Sequence, residues 1–207
     1  MEAVSLGKKG GYFMEAQVID LVFPVQGKRI PVDHGYALYG ALSRICPYIH
    51  ETEDVGIHRI RGSYCGDGLL SLSTRCQLML RIPVDKLNIF LPLAGKSLDV
   101  DGHVLKLGIP KPYQLIPRTV VYGHLVTTKN GNDVERFEKE IRNQLSFMNI
   151  KGKLTIGKRR TFNVRDKQIV GYSVLVSELT AEESILLQEK GIGGRRKMGC
   201  GQFVSFK

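Results

Sequence analysis

A glycine- and cation-rich segment near the end of this 207-residue sequence, residues 191–201, is its sharpest chemical feature. It reads Gly-Ile-Gly-Gly-Arg-Arg-Lys-Met-Gly-Cys-Gly and holds five glycines. Glycines let backbone N–H groups approach an anion closely. Arg195, Arg196 and Lys197 would add charge-assisted bonds to phosphate oxygens. The pattern fits neither a P-loop nor a G-x-G-x-x-G fingerprint. It therefore predicts phosphate binding of another kind, with a flexible, solvated loop as the alternative.

A second basic run, Lys158-Arg159-Arg160, has Arg165 beside it. The chain has 30 Lys and Arg against 20 Asp and Glu, a net charge of +10. Residues 151–207 carry twelve of these cations and five of the acidic residues, which is 12 − 5 = +7. A basic region attracts polyanions because binding them releases condensed counterions. Two basic runs in one region favour RNA or DNA as the partner over an anionic membrane surface, since no basic amphipathic helix is visible.

The four cysteines, Cys46, Cys65, Cys76 and Cys200, form no C-x-x-C pair. The sequence therefore indicates neither a zinc ribbon nor a thioredoxin-like redox site, and we expect reduced thiols. No uncharged apolar run approaches the ~20 residues of a membrane helix. The first residues lack the apolar core of a secretory signal. The expectation is a cytoplasmic protein that needs no membrane, metal or cofactor.

The elements that must position these groups fall into two successive α/β units. Alternating apolar residues, caps and turn residues mark the elements of the first unit. They are a strand over 12–25, a helix opened by Asp33 and ended by Pro47, a short strand over 57–60, a long strand over 69–82, a short helix over 84–91, and a hairpin over 98–107 around Asp101-Gly102.

A proline-rich stretch, residues 110–117, is typical of a linker, and the same order of elements then recurs. The second unit has a strand over 120–128, a helix opened by Asn132, strands over 154–164 and 168–176, a helix with the capping box Thr180–Glu183, and a strand over 199–206. The order β-α-β-β-α-β, met twice, is typical of ferredoxin-like domains. We predict an α+β protein with two tandem ferredoxin-like domains, residues 1–109 and 118–207.

Several segments resemble one protein family. The ending Gly-Ile-Gly-Gly-Arg-Arg-Lys-Met-Gly-Cys-Gly-Gln-Phe resembles the C-terminal glycine-rich loop of the RAMP-superfamily endoribonucleases that process CRISPR precursor RNA, the sixth Cas family. Asp33-His-Gly-Tyr-Ala-Leu-Tyr is similar to that family's first-helix motif, and Tyr48-Ile-His-Glu to its following Tyr-hydrophobic-His-Glu segment. The stretch from Glu183 to Gln188 leads into the loop as it does in the cyanobacterial and myxobacterial branch.

This resemblance implies two tandem ferredoxin-like domains, in agreement with the predicted strand order. It also implies metal-independent cleavage at the base of a CRISPR repeat, leaving a 2′,3′-cyclic phosphate and a 5′-hydroxyl. Such cleavage uses the RNA's own 2′-OH as the nucleophile, so the protein must move protons and stabilise the charge of the phosphorane. Histidine suits the proton transfers because its ordinary pKa lies near neutral pH.

By the family match, His50 takes the general acid/base position. His34, at the start of the first helix, is the second candidate; its alternative role is to bond nearby backbone and orient the helix. His58 is the third candidate, and either His58 or Arg59 occupies the place of the family's cationic helper. A metal site built from His50, Glu51 and His58 would match no common ligand spacing.

A tyrosine within the first helix is a further helper in this family. Ser43 occupies its place here, and Tyr39, one turn earlier, is the residue that could substitute. The two other histidines, His103 and His124, are predicted to be surface or packing residues.

The predicted RNA contacts come from the two basic runs and the loop glycines: Lys158, Arg159, Arg160, Arg165, Gly193, Gly194, Arg195, Arg196, Lys197 and Gly199. Proteins read RNA sequence mainly at unpaired bases or through hairpin shape. The predicted ligand is therefore a repeat stem-loop with a flanking single strand. Tyr12, Tyr113, Tyr122 and Phe162 are either base-stacking or core residues.

Two other functions share much of this pattern. One is a RAMP subunit that holds guide RNA in a complex with other Cas subunits and does not cleave it. The other is a basic two-domain RNA-binding protein such as a ribosomal component, which would not need the Tyr-Ile-His-Glu motif. For the endoribonuclease itself, a monomer or weak homodimer is expected.

Overall fold

A computed structural model describes residues 17–206, which form two mixed α/β units in succession. The elements of the first unit are β1 (Val18–Gln26), β2 (Arg29–Pro31), α1 (Gly35–Ile45), α2 (Tyr48–Glu51), β3 (Gly56–Ile57), β4 (Ser63–Tyr64), β5 (Leu69–Ser71), β6 (Gln77–Pro83), α3 (Leu87–Phe90), β7 (Ser97–Val100), β8 (His103–Leu107) and β9 (Lys111–Gln114). Those of the second are β10 (Val121–Val126), α4 (Val134–Phe147), β11 (Lys153–Val164), β12 (Lys167–Ser177), α5 (Ala181–Lys190) and β13 (Phe203–Ser205).

The main sheet of the first unit is antiparallel and has the strand order β3-β6-β1-β8-β7. Its central strand β1 buries an apolar face on which Leu21 and Phe23 are fully buried. Leu42 of α1 and Phe90 of α3 pack into the same core. Strands β2, β5 and β4 form a separate small sheet beside it. If β8 is counted as the last strand of the unit, the order across the sheet is second, third, first, fourth, as in a ferredoxin-like unit.

The second unit repeats this order in the sheet β11-β12-β10-β13. Helix α4 presents Phe137, Ile141 and Leu145 to the sheet, because residues four positions apart lie on one helix face. The helix starts one residue later than predicted, with Asp133 as its N-cap.

Two local predictions from turn and cap chemistry are confirmed. Thr180 and Glu183 form the reciprocal capping box at the start of α5. The Asp101-Gly102 turn, in which both residues have positive φ, joins β7 to β8.

The long strand predicted over residues 69–82 is wrong. The structure has β5 and β6 there, separated by a turn in which the Cys76 N–H donates to the Ser73 carbonyl at 3.1 Å. The apolar alternation continues on both sides of this turn, so periodicity does not reveal the break. Asp33 also does not cap α1: His34 holds the N-cap position, without a side-chain cap bond.

The predicted linker, residues 110–117, contains a strand. In it, β9 pairs with residues 19–22 of β1 and extends the first sheet. Pro112 fits there because β9 lies at an edge of the sheet, where a missing N–H is tolerated. The domain boundaries at residues 109 and 118 stay a prediction.

A buried arginine connects the two units. Arg81 of β6 lies directly opposite Asp20 of β1, and its Nε and Nη2 atoms both donate to that carboxylate at 2.8 Å. Its Nη1 atom donates to the carbonyls of Gln188 (2.7 Å) and Phe203 (2.8 Å) in the second unit. Arg81 is only 1% exposed, so water has little access to these oxygens and could not replace the guanidinium as their hydrogen-bond donor.

We predict that Arg81→Met lowers the free energy of unfolding by about 3–5 kcal/mol, because it leaves a buried carboxylate without its partner. Urea unfolding at neutral pH measures this. Arg75→Met, in the exposed turn before β6, is the matched control and should change stability by less than about 0.5 kcal/mol. Equal stability of the two variants would contradict a connecting role for Arg81.

Candidate active site and nucleic-acid interface

Exposed His50 and half-buried Tyr39 form a hydrogen-bonded pair at the surface of the first unit. Helix α2 is a single turn in which Ile49 is fully buried, and this anchor directs the next residue, His50, outward. The hydroxyl of Tyr39, on α1, lies 2.7 Å from the Nδ1 atom of His50. The two rings are stacked with centroids 6.3 Å apart. The Nε2 atom is thus the ring nitrogen of His50 left for a substrate.

The glycine-rich segment is folded closely against the second unit. The Gly193 N–H donates to Gln144 Oε1, and the Gly194 N–H donates to the Thr127 carbonyl, both at 2.8 Å. The flexible-loop alternative is therefore wrong for this segment. The same bonds occupy two of the backbone donors that the sequence predicts to bind phosphate.

The three consecutive cations of this segment point in different directions. Arg196 turns inward, and its Nη2 atom donates to the Glu189 carbonyl at 2.7 Å. Burial lowers the pKa of its guanidinium from the ordinary value. Lys197 is also largely covered, whereas Arg195 is exposed at a left-handed backbone position with φ of 61°. Of the three, Arg195 is the one whose charge faces solvent.

Lys197 brings the glycine-rich segment to the histidine. Its Nζ atom donates to the His50 carbonyl at 3.2 Å and lies 3.4 Å from a carboxylate oxygen of Glu53. The approach of the segment to α1 requires a glycine at position 35, because a Cβ atom there would collide with the Met198 carbonyl. Two motifs separated by 147 residues are in this way placed together.

His34, the second catalytic candidate, is buried and fully bonded. Its Nδ1 atom lies 2.7 Å from the Pro31 carbonyl, and its Nε2 atom accepts from the Ile60 N–H at 3.1 Å. Burial lowers the pKa of His34 to about 4. It is 0% exposed, so its ring is not presented to a ligand, and its contacts match the structural role considered above.

His58 and Arg59, the candidate helpers, lie between the two units. The Nε2 atom of His58 is 3.9 Å from Asp20, and burial beside Arg81 holds its pKa well below the ordinary value. Arg59 donates from Nη2 to the Val32 carbonyl at 2.6 Å.

The hairpin of β11 and β12 carries the other basic run. Lys158 and Arg159 are exposed and Arg160 is half-buried. A bulge gives β11 one extra residue between Ile156 and Arg159, since those residues face Val174 and Tyr172, only two positions apart.

The tip of this hairpin contacts the first unit. Arg165 donates to the Tyr36 hydroxyl at 2.8 Å, and its guanidinium lies 5.6 Å from the centre of that ring. The Asn163 side chain donates to Asp33 at 2.9 Å. Arg165 is therefore tied to α1, and Asp33 binds the hairpin instead of capping the helix.

The candidate stacking residues differ in exposure. Phe162 is 2% exposed and belongs to the core, whereas Tyr113 is 52% exposed on β9. Tyr122 is half-buried and has the exposed His124 beside it. Tyr12 lies outside the described residues.

Sequence reasoning missed Arg81, Glu53 and the Asn163–Asp33 contact. Each depends on a partner far away in the chain, which only the folded structure brings close. None of the helices between residues 17 and 206 combines the length and apolar character that crossing a bilayer demands.

Over the same residues, no group of three or more His, Cys, Asp or Glu side chains is arranged to hold a metal ion.

The fold is that of solved CRISPR-associated RAMP proteins. One, described as CRISPR associated protein Cas6, has a TM-score of 0.66 at 14% identity, over 92% of this chain and 100% of that one. Another, described as a RAMP protein binding different RNA substrates, has a TM-score of 0.62 at 15% identity, over 90% of this chain and 98% of that one. The predicted pair of ferredoxin-like domains is confirmed.

Sequence comparison gives the family. A family model described as Cas6 Crispr matches residues 19–207. A curated relative from Myxococcus xanthus (strain DK1622), named CRISPR-associated endonuclease Cas6, is 38% identical over 186 residues, which cover 90% of this chain and 80% of the relative. The chain belongs to the Cas6 family of CRISPR-associated endonucleases.

The burial of His34 predicts a loss of stability in acid. Its folded-state pKa of about 4 lies below the unfolded value of about 6.5. The contribution of His34 is therefore complete above about pH 6.5 and is lost as the pH falls towards about 4. Between about pH 7 and pH 5 this amounts to about 2 kcal/mol.

Urea unfolding at the two pH values measures this loss in the wild type and in His34→Gln. The variant should lose about 2 kcal/mol less over the same interval, even if it is less stable at both pH values. His103→Gln, in the β7–β8 hairpin, controls for removing a histidine from the same unit. An unchanged pH dependence in His34→Gln would contradict this prediction.

Proposed function

We propose that this protein cleaves the repeat RNA of CRISPR transcripts by attack of the RNA's own 2′-OH, with His50 as the general acid/base and without a metal ion. The observation that carries the proposal is the exposed His50 ring, held at Nδ1 by Tyr39 and bordered by Lys197 of the glycine-rich segment. The name of the Myxococcus relative, a CRISPR-associated endonuclease, supports the reaction class.

In the proposed reaction, the 2′-oxygen loses its proton and bonds to the adjacent phosphorus. The bond from phosphorus to the 5′-oxygen breaks, and that oxygen takes up a proton. The products are a 2′,3′-cyclic phosphate and a 5′-hydroxyl. Nε2 of His50 carries out one of these proton transfers, and general acid–base catalysis of this kind contributes roughly 10²- to 10⁴-fold.

Tyr39 is proposed as the residue that positions His50. Its hydroxyl, 2.7 Å from Nδ1, restricts the rotation of the ring and directs Nε2 outward. Lys197 is proposed to place positive charge beside the phosphorane, where developing negative charge needs it most. Two of its three donor directions are in use, towards the His50 carbonyl and Glu53, which leaves one for a phosphate oxygen.

The proposed substrate is a repeat stem-loop with a flanking single strand. The exposed cations Lys158, Arg159 and Arg195 would contact its phosphates. These contacts hold the RNA in register but carry no sequence information, so hairpin shape and unpaired bases would provide the specificity.

His50→Ala should lower the single-turnover cleavage rate of a labelled repeat RNA by roughly 10²-fold or more. Its affinity for the RNA should stay within a few-fold of wild type, since the cations are untouched. His103→Ala, on β8, is the matched control and should cleave at the wild-type rate. Full activity in His50→Ala would reject the assignment of His50.

The same RNA tests whether the 2′-OH is the nucleophile and whether cleavage needs a metal ion. A 2′-deoxy substitution just upstream of the scissile phosphate should stop cleavage by the wild type, and excess EDTA should not. Cleavage of the deoxy substrate, or loss of activity in EDTA that added magnesium restores, would point instead to a metal-activated water.

Arg195 should account for most of the direct contact between the glycine-rich segment and phosphate. In Arg195→Gln, the slope of log affinity against log salt should become shallower by about one unit, because one fewer counterion is released. Lys139→Gln, on the exposed side of α4, removes an equal charge and should leave the slope unchanged. Equal slopes for Arg195→Gln and wild type would show that Arg195 does not contact phosphate.

A further inference from the structure

One face of the second sheet carries aromatic side chains that its helices do not cover. Val121 and Val174 point towards the core formed with α4 and α5. Tyr122 points to the opposite face and is paired in register with Leu175 of β12 and Val204 of β13. All three of these residues are half-buried.

Tyr122, His124 and Phe206 form a row on this face, here named the aromatic strip. The ring of Tyr122 lies 5.6 Å from that of Phe206 and 6.3 Å from that of His124. Phe206 is 54% exposed. Apolar rings that are grouped at the surface, and not scattered singly, are typical of binding sites.

Arg160 borders one end of the aromatic strip, because it is paired with Gly171 of β12, and the next residue, Tyr172, is paired with Val126 of β10. Although His124 is exposed at the surface, partial burial of its ring lowers its pKa to about 4, and the nearby guanidinium of Arg160 adds to this shift. Arg59 and Arg61 act on His124 in the same direction. The imidazole is therefore uncharged at neutral pH. The buried Nε atom of Arg160 has no hydrogen-bond partner among the described residues.

The aromatic strip leads towards the proposed active site. It follows β10, whose end is bonded to the glycine-rich segment: the Gly201 N–H donates to the Leu125 carbonyl at 2.8 Å. Lys197 of the same segment contacts His50. A strand of RNA that leaves the active site along the glycine-rich segment would reach His124 first.

We propose that the aromatic strip binds single-stranded RNA, with unpaired bases stacked on Phe206, Tyr122 and His124 and the phosphates held by Arg160 and Arg61. Aromatic rings beside cations on an open four-stranded sheet suit this ligand, since every base has a stacking face and every linkage a negative charge. The inference rests on the proposed function, because it concerns the single-stranded flank of the same RNA.

The test uses a tryptophan introduced into the full chain, which has none of its own. Phe206→Trp keeps a stacking ring and makes position 206 the sole source of tryptophan fluorescence. Adding an oligouridylate of eight nucleotides should quench this fluorescence in a saturable way. Phe147→Trp, at the 91%-exposed end of α4, is the matched control and should show no saturable quenching.

A second measurement separates stacking from general attraction by charge. In a filter-binding assay, Phe206→Ala should bind the oligouridylate about five-fold or more weakly than wild type, as expected for one lost stacked base. Phe147→Ala should bind as wild type does. Thermal unfolding of both variants checks that they are folded.

The proposal is overturned if Phe206→Ala binds the oligouridylate as tightly as wild type, or if both tryptophans are quenched equally. Neither readout requires cleavage. If the aromatic strip does not bind RNA, the cleavage results for His50 are therefore unaffected. Conversely, full activity in His50→Ala would reject the proposed reaction without changing the result of the stacking measurements.

Discussion

The interaction on which the rest of the structure depends is the buried guanidinium of Arg81. It holds the carboxylate of Asp20 within the first sheet and reaches two carbonyls of the second unit with its remaining donors. The proposed active site contains His50 from the first unit and Lys197 from the second. Because the site is divided between units, its geometry requires a rigid connection between them, and the planar fork of an arginine provides one.

The glycine-rich segment acts as a structural support in addition to its proposed contact with RNA. Its amides bind Gln144 and Thr127, and Arg196 binds the last turn of α5 through Glu189. These bonds give the segment one conformation, in which Lys197 reaches the first unit and Arg195 faces solvent. The left-handed residues that allow this path are glycines, apart from Arg195. Positive charge is thus presented at defined points and not by a mobile tail.

Most of the fold could be predicted from the sequence, because strand alternation, the amphipathic pattern of α4 and the capping box of α5 are local features. The resemblance to the family motifs also predicted His50 as the general acid/base. What could not be predicted depends on partners distant in sequence. The turn between β5 and β6 leaves the alternation unbroken, His34 differs from His50 only through burial, and adjacent Arg195 and Arg196 take opposite directions. A sequence shows neighbours along the chain, whereas these outcomes depend on neighbours in space.

The bulge in β11 has a consequence for how the hairpin tolerates insertions and deletions. Side chains alternate between the faces of a strand, but the extra residue places Ile156 and Arg159, three positions apart, on the same face, opposite Val174 and Tyr172. Removing one residue of the bulge would leave a regular ladder in which Arg159 still faces Tyr172 and Phe162 still faces Ile169. Phe162 would stay buried, and Asn163 would keep its contact with Asp33. A single deletion at the bulge is therefore expected to disturb the hairpin less than a deletion elsewhere in β11, which would shift the pairing by one residue.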